Sequence, residues 1–297
     1  MTQNIFVAIV GRPNVGKSSL LNRLLGEKIA IVSNKPQTTR NRITGVLTKD
    51  ATQYVFIDTP GVHKPKNKLG KFMVRQAGAS ITDVDVTVMV IECGGELRAI
   101  EREMIEGFAE RKIPVILALN KTDAFSQKKE MLEKIAEVSA LMSFAAVVPI
   151  SALTGDGIKR LMTEIDCFRV DGPHFFEDDT LTDQPEKVMV AEIIREKILW
   201  NMHDEIPHGT AVTIEKMGER EDGSILDIEA IIVCERENHK GMLIGKQGGM
   251  LKKIASEARK DCEGFFDIKV NLQCWVKVRE GWRDSDIQLK NFGYRQE

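Results

Sequence analysis

The stretch that decides the fold is Gly11-Arg12-Pro13-Asn14-Val15-Gly16-Lys17-Ser18. It fits the pattern GxxxxGK[ST] and lies between an apolar stretch, 5–10, and an amphipathic stretch, 18–25. In that context, backbone N–H groups and the start of the helix bind phosphate. Lys17 would then bridge terminal phosphates and the Ser18 hydroxyl would ligate Mg²⁺. The predicted phosphate contacts are Gly11, Arg12, Pro13, Asn14, Val15, Gly16, Lys17, Ser18 and Ser19; a plain glycine turn is the alternative.

Short apolar stretches alternate with amphipathic ones through the first half of the chain. The apolar stretches carry hydrophobic residues on both faces, which is typical of parallel strands covered by helices. We therefore expect an α/β P-loop domain with a mostly parallel sheet and a ligand at the carboxyl ends of its strands. Strands are predicted at 5–10, 54–57, 86–91, 115–119 and 146–150, an edge strand at 42–49, and helices at 18–25, 100–111, 128–142 and 158–168.

The alternation stops at 169–186, a stretch rich in Pro, Gly and Asp. Beyond it the predicted order changes to helix, strand, strand, helix, turn, helix and strand, which indicates a separate α+β domain. We therefore predict a first domain at 1–170, a linker at 171–184 and a second domain with a C-terminal tail at 185–297. The predicted elements of the second domain are a helix at 187–202, strands at 210–216, 226–235 and 268–277, and a helical turn around 245–248.

Two further motifs follow predicted strands of the first domain. Asp58-Thr59-Pro60-Gly61 comes directly after 54–57, where Asp58 can hold Mg²⁺ and the Gly61 N–H can contact a γ-phosphate. Alone, this tetrapeptide could be an ordinary turn. Its position one strand–helix–strand excursion after the phosphate loop favours the nucleotide site.

The motif Asn120-Lys121-Thr122-Asp123 ends the strand predicted at 115–119. The Asp123 carboxylate can accept from N1–H and the 2-amino group of guanine, two donors that adenine lacks. Lys121 would lie over the base, and Ser151-Ala152-Leu153 would close the pocket. A guanine-reading carboxylate argues against the alternative of an ATP-dependent metabolic kinase.

These motifs, in this order, resemble GTPases of the translation-factor-like class. Within that class, GRPNVGKSSLLN, PQTTRNR and DTPGVH resemble the Era family. The resemblance implies GTP and GDP as ligands and a switch I segment at 37–41, in which Thr39, or alternatively Thr38, ligates Mg²⁺. A solvated polar loop at 35–42 is the competing interpretation.

Two positions bear on hydrolysis. Val62 stands where many related GTPases carry a glutamine that orients the attacking water, so we expect slow intrinsic turnover. The resemblance also implies that Asn14 occupies the position that binds K⁺ in potassium-stimulated relatives. The predicted catalytic group is therefore Lys17, Thr39, Gly61 and Asn14.

A basic segment at 236–260 holds seven basic and two acidic residues, although the net charge of the chain is −2. Its centre, Gly245-Lys246-Gln247-Gly248, is a GxxG turn between predicted helices and resembles that of a type II KH domain, which clamps single-stranded nucleic acid. A plain helix–helix turn is the alternative. The predicted RNA contacts are Ile244, Gly245, Lys246, Gln247, Gly248, Lys252 and Lys253. Arg279, Trp282 and Arg283 are further candidates, whereas Trp275 is assigned to the core.

One GTPase domain followed by a KH domain is the layout of the Era family. The alternative, a tandem-GTPase assembly factor, would carry two GTPase domains. The resemblance implies small-subunit ribosomal RNA near its 3′ end and the 30S pre-ribosomal subunit as partners, a monomer, and peripheral association with the inner face of the cell membrane. The five scattered cysteines show no disulfide or zinc spacing, and the first residues lack a basic signal-peptide region. We therefore expect a cytoplasmic protein.

Overall fold

The computed structural model describes residues 1–62, 65–80, 84–124 and 128–294. Two compact units are present: Met1–Pro65 with Met73–Asp183, and Lys66–Phe72 with Gln184–Glu297. His63 and Lys64, part of the lysine-rich stretch that follows the Asp58 motif, lie outside the described residues. No described helix is both long and apolar enough to cross a membrane.

The first unit is a twisted α/β sheet with the strand order β2-β3-β1-β4-β5-β6, and β7 pairs with β1. Neighbours from β3 to β6 run parallel, whereas β2 is an antiparallel edge strand and β7 is antiparallel to β1. Its elements are β1 Gln3–Val10, α1 Lys17–Leu25, β2 Ile43–Lys49, β3 Thr52–Asp58, α2 Lys68–Ala79 (in this unit from Met73), β4 Val86–Glu92, α3 Ala99–Arg111, β5 Val115–Asn120, α4 Lys128–Ser139, β6 Ala146–Pro149, α5 Ile158–Asp166 and β7 Val170–Asp171.

The central strands are buried on both faces, as their apolar pattern predicts. Val7, Ala8, Ile9 and Val10 of β1 have no exposed surface. Because β1, β4 and β5 are parallel neighbours, the loops after them meet at one edge of the sheet. The predicted fold class is confirmed, and this edge carries the phosphate loop and the Asn120 motif, where the sequence predicts the ligand site.

Helix α2 is the main element that the sequence pattern does not predict. Its start falls within the lysine-rich stretch 63–71, for which the sequence predicts no helix, yet Lys68 and Lys71 are helical. Gly70 and Gly78 lower the intrinsic helix propensity and hide the pattern. The Asn67 side chain compensates at the start, because its Oδ1 accepts from the Gly70 N–H at 2.8 Å.

The segment predicted as a linker packs on the first unit. Gln53 of β3 is fully buried, and its Oε1 accepts from the N–H groups of Phe175 and Phe176 at 2.7 and 3.0 Å. Further along, Val46 N donates to Leu181 O at 2.8 Å. The segment thus covers edge strand β2, which would otherwise expose unpaired backbone groups.

The second unit is a three-stranded sheet covered by helices, with the strand order β10-β9-β8. β9 and β10 are parallel, and β8 and β9 are antiparallel. The order helix–strand–strand–helix–helix–strand is that of a type II KH domain, as predicted. Its elements are α6 Glu186–Asn201, β8 Ala211–Glu219, β9 Ile225–Cys234, α7 Glu237–Ile244, α8 Gly249–Phe266, β10 Lys269–Val278 and α9 Asp286–Asn291.

The two C-terminal tryptophans have roles opposite to those expected from the sequence. Trp282, a candidate RNA contact, is fully buried, and its Nε1 donates to Gly209 O at 2.9 Å. Its ring stacks on Tyr294. Trp275, assigned to the core, lies on β10 and is 45% exposed. The Trp275 assignment was wrong because period-2 alternation shows that faces alternate along a strand but not which face is covered. The Trp282 assignment was wrong because its burial depends on contacts with residues distant in sequence, such as Gly209.

Candidate nucleotide and nucleic-acid sites

The phosphate loop connects β1 to α1 and is braced by Asn120 from the end of β5. Asn120 Nδ2 donates to Val15 O at 2.7 Å, and its Oδ1 accepts from Ala152 N at 2.9 Å. A Cβ on Gly16 would lie 2.2 Å from Asn120 Nδ2, and the φ of Gly16 is +99°. Only glycine allows this approach. Asn120 therefore fixes the loop in place, a role that its motif alone does not show.

Two adjacent clefts gather most of the predicted nucleotide residues. Gly16, Ser19 and Lys121 line both clefts and so join them into one site. Arg12, Thr59 and Val15 are among the predicted residues that do not line these clefts. The Arg12 side chain donates to Glu101, the Thr59 hydroxyl donates to Ile9 O, and Val15 is buried. The first cleft is lined by Pro13, Asn14, Lys17, Ser18, Thr39 and Gly61 among others, and the second by Arg23, Asn120, Asp123, Ala152 and Leu153.

Lys17 lies at the floor of the first cleft. It is only 6% exposed, and its Nζ donates to Arg12 O at 3.0 Å. Burial lowers the pKa of Lys17 to about 8, partly offset by the negative charge of Asp58 and reinforced by the positive charge of Arg12. Because the negative charge of Asp58 offsets only part of the effect of burial, Lys17 is suited to bind a strongly anionic ligand.

A cluster of hard oxygen donors lies beside Lys17. Ser18 Oγ is 2.7 Å from Asp58 Oδ2 and 2.8 Å from Thr39 Oγ1. Burial raises the pKa of Asp58 to about 6 against the opposing effects of Lys17 and the hydrogen bonds from Ser18 and Thr39. Asp58 Oδ1 is buried and has no hydrogen-bond partner among the described residues. One carboxylate with two hydroxyls fits Mg²⁺, which keeps several waters and takes few protein ligands.

The geometry separates Thr39 from Thr38, which the sequence left open. Thr39 Oγ1 faces Ser18 and lies 3.5 Å from Asp58 Oδ2. Thr38 Oγ1 instead bonds within its own loop, donating to Lys35 O at 2.6 Å. The segment at 37–41 thus brings Thr39, and not Thr38, to the donor cluster.

The turn after β3 touches the phosphate loop directly. A Cβ on Gly61 would lie 2.6 Å from Pro13 N, and Val62 N donates to Gly11 O at 3.2 Å. Gly61 therefore lies close to the phosphate loop because it has no side chain. Val62 has no polar side-chain atom that could hold a water.

The second cleft holds the predicted base-recognition residues. The Asp123 carboxylate accepts from Ser151 Oγ, and Lys121 lies at the shared boundary of the clefts. Arg23 of α1 fixes the far wall: its Nε donates to Ala152 O at 3.1 Å, and it also donates to Leu153 O. Arg23 was not predictable from the sequence, because a lone arginine on a helix resembles any solvated residue.

Three of the predicted site residues have left-handed backbone conformations that non-glycine residues rarely adopt. The φ angles are +66° at Asn14, +67° at Lys121 and +50° at Gln247. Such strain costs about 1 kcal/mol or more and concentrates at functional sites. The same conformation occurs outside the predicted sites at Asp50, Lys112, Asp204 and Asp267, so it does not by itself mark a binding loop.

The GxxG turn of the second unit joins α7 to α8. Gly245 has φ +72°, and a Cβ there would lie 2.7 Å from Met250 Cβ. Gly245 N donates to Gly241 O at 2.9 Å and Gly248 N to Gly245 O at 3.2 Å, which closes the turn tightly. Lys246 and Gln247 are exposed at its tip. The turn therefore presents backbone and charge to solvent.

The flanks of the turn supply further charge and the apolar floor. Lys252 and Lys253 are exposed on the first turns of α8, and Lys253 is 3.9 Å from Glu257. Ile254 is fully buried in the core, and Ile244 is half-buried. Among the predicted contacts, Ile244 therefore has some apolar surface available beside the turn.

A phosphate loop, a switch threonine at an oxygen cluster and an Asp-bearing base motif define a guanine-nucleotide-binding P-loop protein, here with a KH domain. The profile of the family described as 50S ribosome-binding GTPase matches residues 6–121, and that of the KH domain matches 205–283. The chain is 51% identical over 290 residues to GTPase Era of Ruminiclostridium cellulolyticum, covering 98% of this chain and 97% of that one. It is 49% identical to GTPase Era of Clostridioides difficile over 99% of both chains. The chain belongs to the Era family and is a GTPase.

Two solved structures match the whole chain. Era in complex with MgGDPNP and nucleotides 1506–1542 of 16S ribosomal RNA has a TM-score of 0.96, with 37% identity over 100% of both chains. A substituted Aquifex aeolicus Era bound to GDP·AlF4⁻ has a TM-score of 0.95, with 37% identity over 99% of this chain and 100% of that one. At this identity and coverage the likeness extends to both units.

Proposed function

We propose that this protein is a guanine-nucleotide switch that binds small-subunit ribosomal RNA near its 3′ end and assists 30S subunit maturation. The observation that carries the proposal is the presence, in one chain, of the Lys17–Asp58–Asp123 nucleotide site and an exposed GxxG turn flanked by lysines. The relative with 37% identity that holds MgGDPNP and 16S ribosomal RNA supports both ligands.

The nucleotide roles follow from the contacts. Lys17 and the phosphate-loop backbone bind the phosphates, and Ser18 with Thr39 and Asp58 holds Mg²⁺, directly or through water. Asp123 and Lys121 bind the guanine base, and Ser151, Ala152 and Leu153 close the pocket. Mg²⁺ supplies charge neutralisation between the β- and γ-phosphates when bound.

The switch depends on the γ-phosphate. Only a triphosphate reaches the Gly61 N–H and the Thr39 loop together, so GTP holds both loops and GDP releases them. Hydrolysis is slow because Val62 cannot orient the attacking water. Lys17, Thr39 and Gly61 remain to stabilise the developing charge.

We also propose K⁺ as an activator beside Asn14. Asn14 Nδ2 donates to Asn34 O at 2.7 Å, which leaves its Oδ1 available to a cation near the phosphates. A cation there would supply charge as an arginine finger does. Equal GTP turnover in K⁺ and Na⁺ would contradict this.

Two other functions fit parts of the chain: an RNA-binding module gated by nucleotide with incidental hydrolysis, and an RNA tether indifferent to nucleotide. A metabolic kinase fits less well, because Asp123 selects guanine. The expectations of a cytoplasmic monomer, of the 30S pre-ribosomal partner and of contact with the membrane surface stay predictions.

The RNA assignment is tested with an RNA spanning nucleotides 1506–1542 of 16S ribosomal RNA and Lys246→Glu. Lys246 is exposed, so the charge reversal leaves the fold intact, whereas a side chain at Gly245 would collide with Met250. We expect affinity to fall about tenfold by fluorescence anisotropy at fixed salt. Lys269→Glu, an equal reversal on exposed β10, is the control and should have a much smaller effect. Equal losses in both variants would contradict recognition by the turn.

A further inference from the structure

Glu92, the last residue of β4, contacts both halves of the nucleotide site. Its Oε2 accepts from Arg12 Nη2 in the phosphate loop, and its Oε1 accepts from Lys121 Nζ in the base motif. β4 lies between β1 and β5 in the sheet, so its carboxyl end is next to both loops. Glu92 belongs to neither motif.

Arg12 extends the connection in two directions. Its Nε donates to Glu101 Oε1 at 2.9 Å, and the Glu101 side chain is only 4% exposed. Glu101 is itself fixed at the start of α3, because its Oε2 accepts from Arg98 N at 2.9 Å. The Arg12 carbonyl accepts from Lys17 Nζ. A continuous chain of contacts therefore runs from Lys121 through Glu92 and Arg12 to Lys17.

Glu92 is charged at neutral pH. Burial favours its neutral form, but the hydrogen bond from Lys121 and the positive charge of Arg12 outweigh burial and hold the pKa of Glu92 below its usual range. Its side chain is 27% exposed, so the pairs are partly desolvated. Charge-assisted bonds of this kind set the orientation of long cationic side chains.

We propose that Glu92 is a positioning residue that couples base recognition to the phosphate loop, by holding Lys121 over the guanine base while it anchors Arg12. The inference rests on the guanine-nucleotide site proposed above. Among the described contacts Glu92 touches neither Asp58 nor Thr39, and it reaches Lys17 only through the backbone of Arg12, so we expect its main effect on nucleotide binding. An ion pair that only stabilises the fold would affect nucleotide binding and hydrolysis alike.

The test is a double-mutant cycle on the full chain, with GDP binding measured by calorimetry. Glu92→Gln keeps the shape and removes the charge, and we expect GDP to bind about tenfold more weakly. Lys121→Met keeps the aliphatic stem of the lysine but removes its ammonium. In that background Glu92→Gln should weaken GDP binding by about threefold or less, because Glu92 has already lost Lys121 as a partner. Steady-state GTPase assays should show a raised KM and a nearly unchanged kcat.

Glu137→Gln is the matched control. Glu137 also lies between two cations of the first unit, 3.3 Å from Arg102 and 3.6 Å from Lys134, and none of the three residues lines the nucleotide clefts. The GDP affinity of the Glu137→Gln variant should stay within about twofold of that of the wild type. Should Glu92→Gln fail to fold, Glu92→Asp keeps the charge but is too short to reach both cations, and it should weaken GDP similarly.

Unchanged GDP affinity in Glu92→Gln, or an equal loss with and without the Lys121 ammonium, would overturn the inference. A fall in kcat at unchanged KM would overturn it too. Failure of the wild-type chain to bind GDP would instead overturn the proposed function.

Discussion

At position 123, one carboxylate is the group that we propose selects the base. Asp123 is exposed at the mouth of the second cleft and already accepts a hydrogen bond from Ser151, so its oxygens are oriented before any ligand arrives. Preorganised acceptors discriminate strongly against a base without matching donors. In the proposed site, Asp123 is therefore the group that selects guanine.

Asp123→Asn should therefore weaken GDP binding by about 100-fold, since one acceptor becomes a donor and two charge-assisted hydrogen bonds are impaired. Xanthine offers an oxygen where guanine has its 2-amino group, so XDP should bind the variant better than GDP. Competition against a fluorescent nucleotide measures both affinities. Full GDP preference in the variant would show that the base lies elsewhere.

Residue roles were predictable where a motif forces a geometry. Lys17, Ser18 and Asp58 converge as their motifs imply, because parallel strands bring the loops after β1 and β3 together. Arg23 and Glu92 were not predictable, because single charged residues on a helix or at a strand end carry no pattern. Their partners become visible only through contacts between residues distant in sequence.

At the scale of elements, burial and not periodicity decides the roles of the two C-terminal tryptophans. Trp282 packs against Phe292 and Tyr294 and bonds to Gly209, so the tail of the second unit is built around it. Trp275 lies on β10 with much of its ring in solvent. The first residue is structural, and the second is free to contact a partner.

Trp282→Phe should destabilise the second unit by about 1–3 kcal/mol, because Gly209 O loses its donor in a buried site and the ring leaves a gap. Trp275→Phe is the matched control and should change the free energy of unfolding by about 0.5 kcal/mol or less. Urea unfolding followed by circular dichroism gives both values. Equal destabilisation would mean that the burial of Trp282 has been misassigned.

Most elements were predictable from apolar periodicity, and the exceptions have local causes. Strands β3 and β5 are buried throughout and β1 and β4 nearly so, and their apolar composition alone marks them. Helix α2 was not predicted because its glycines lower helix propensity. The contact of 171–184 with β2 and β3 was not predicted because Gln53, a polar residue, makes the connection. A polar side chain that satisfies backbone groups gives no hydrophobic signal.

At the scale of the whole molecule, a net charge of −2 hides a strongly uneven distribution. The seven basic residues of 236–260 flank the GxxG turn in sequence, and the first unit has a buried lysine, Lys17, in its phosphate loop. Each unit thus carries positive charge in the segment that we propose binds its anionic ligand. Composition of the whole chain could not have predicted this, whereas the local count does.

The central claim is that the γ-phosphate in the first unit governs the grip of the second unit on RNA. The most direct measurement is the affinity for the RNA of nucleotides 1506–1542 with GDP, with a non-hydrolysable GTP analogue and with no nucleotide. We expect the analogue to change RNA affinity by about fivefold or more relative to GDP, a coupling typical of linked sites. Equal affinities in all three states would contradict it.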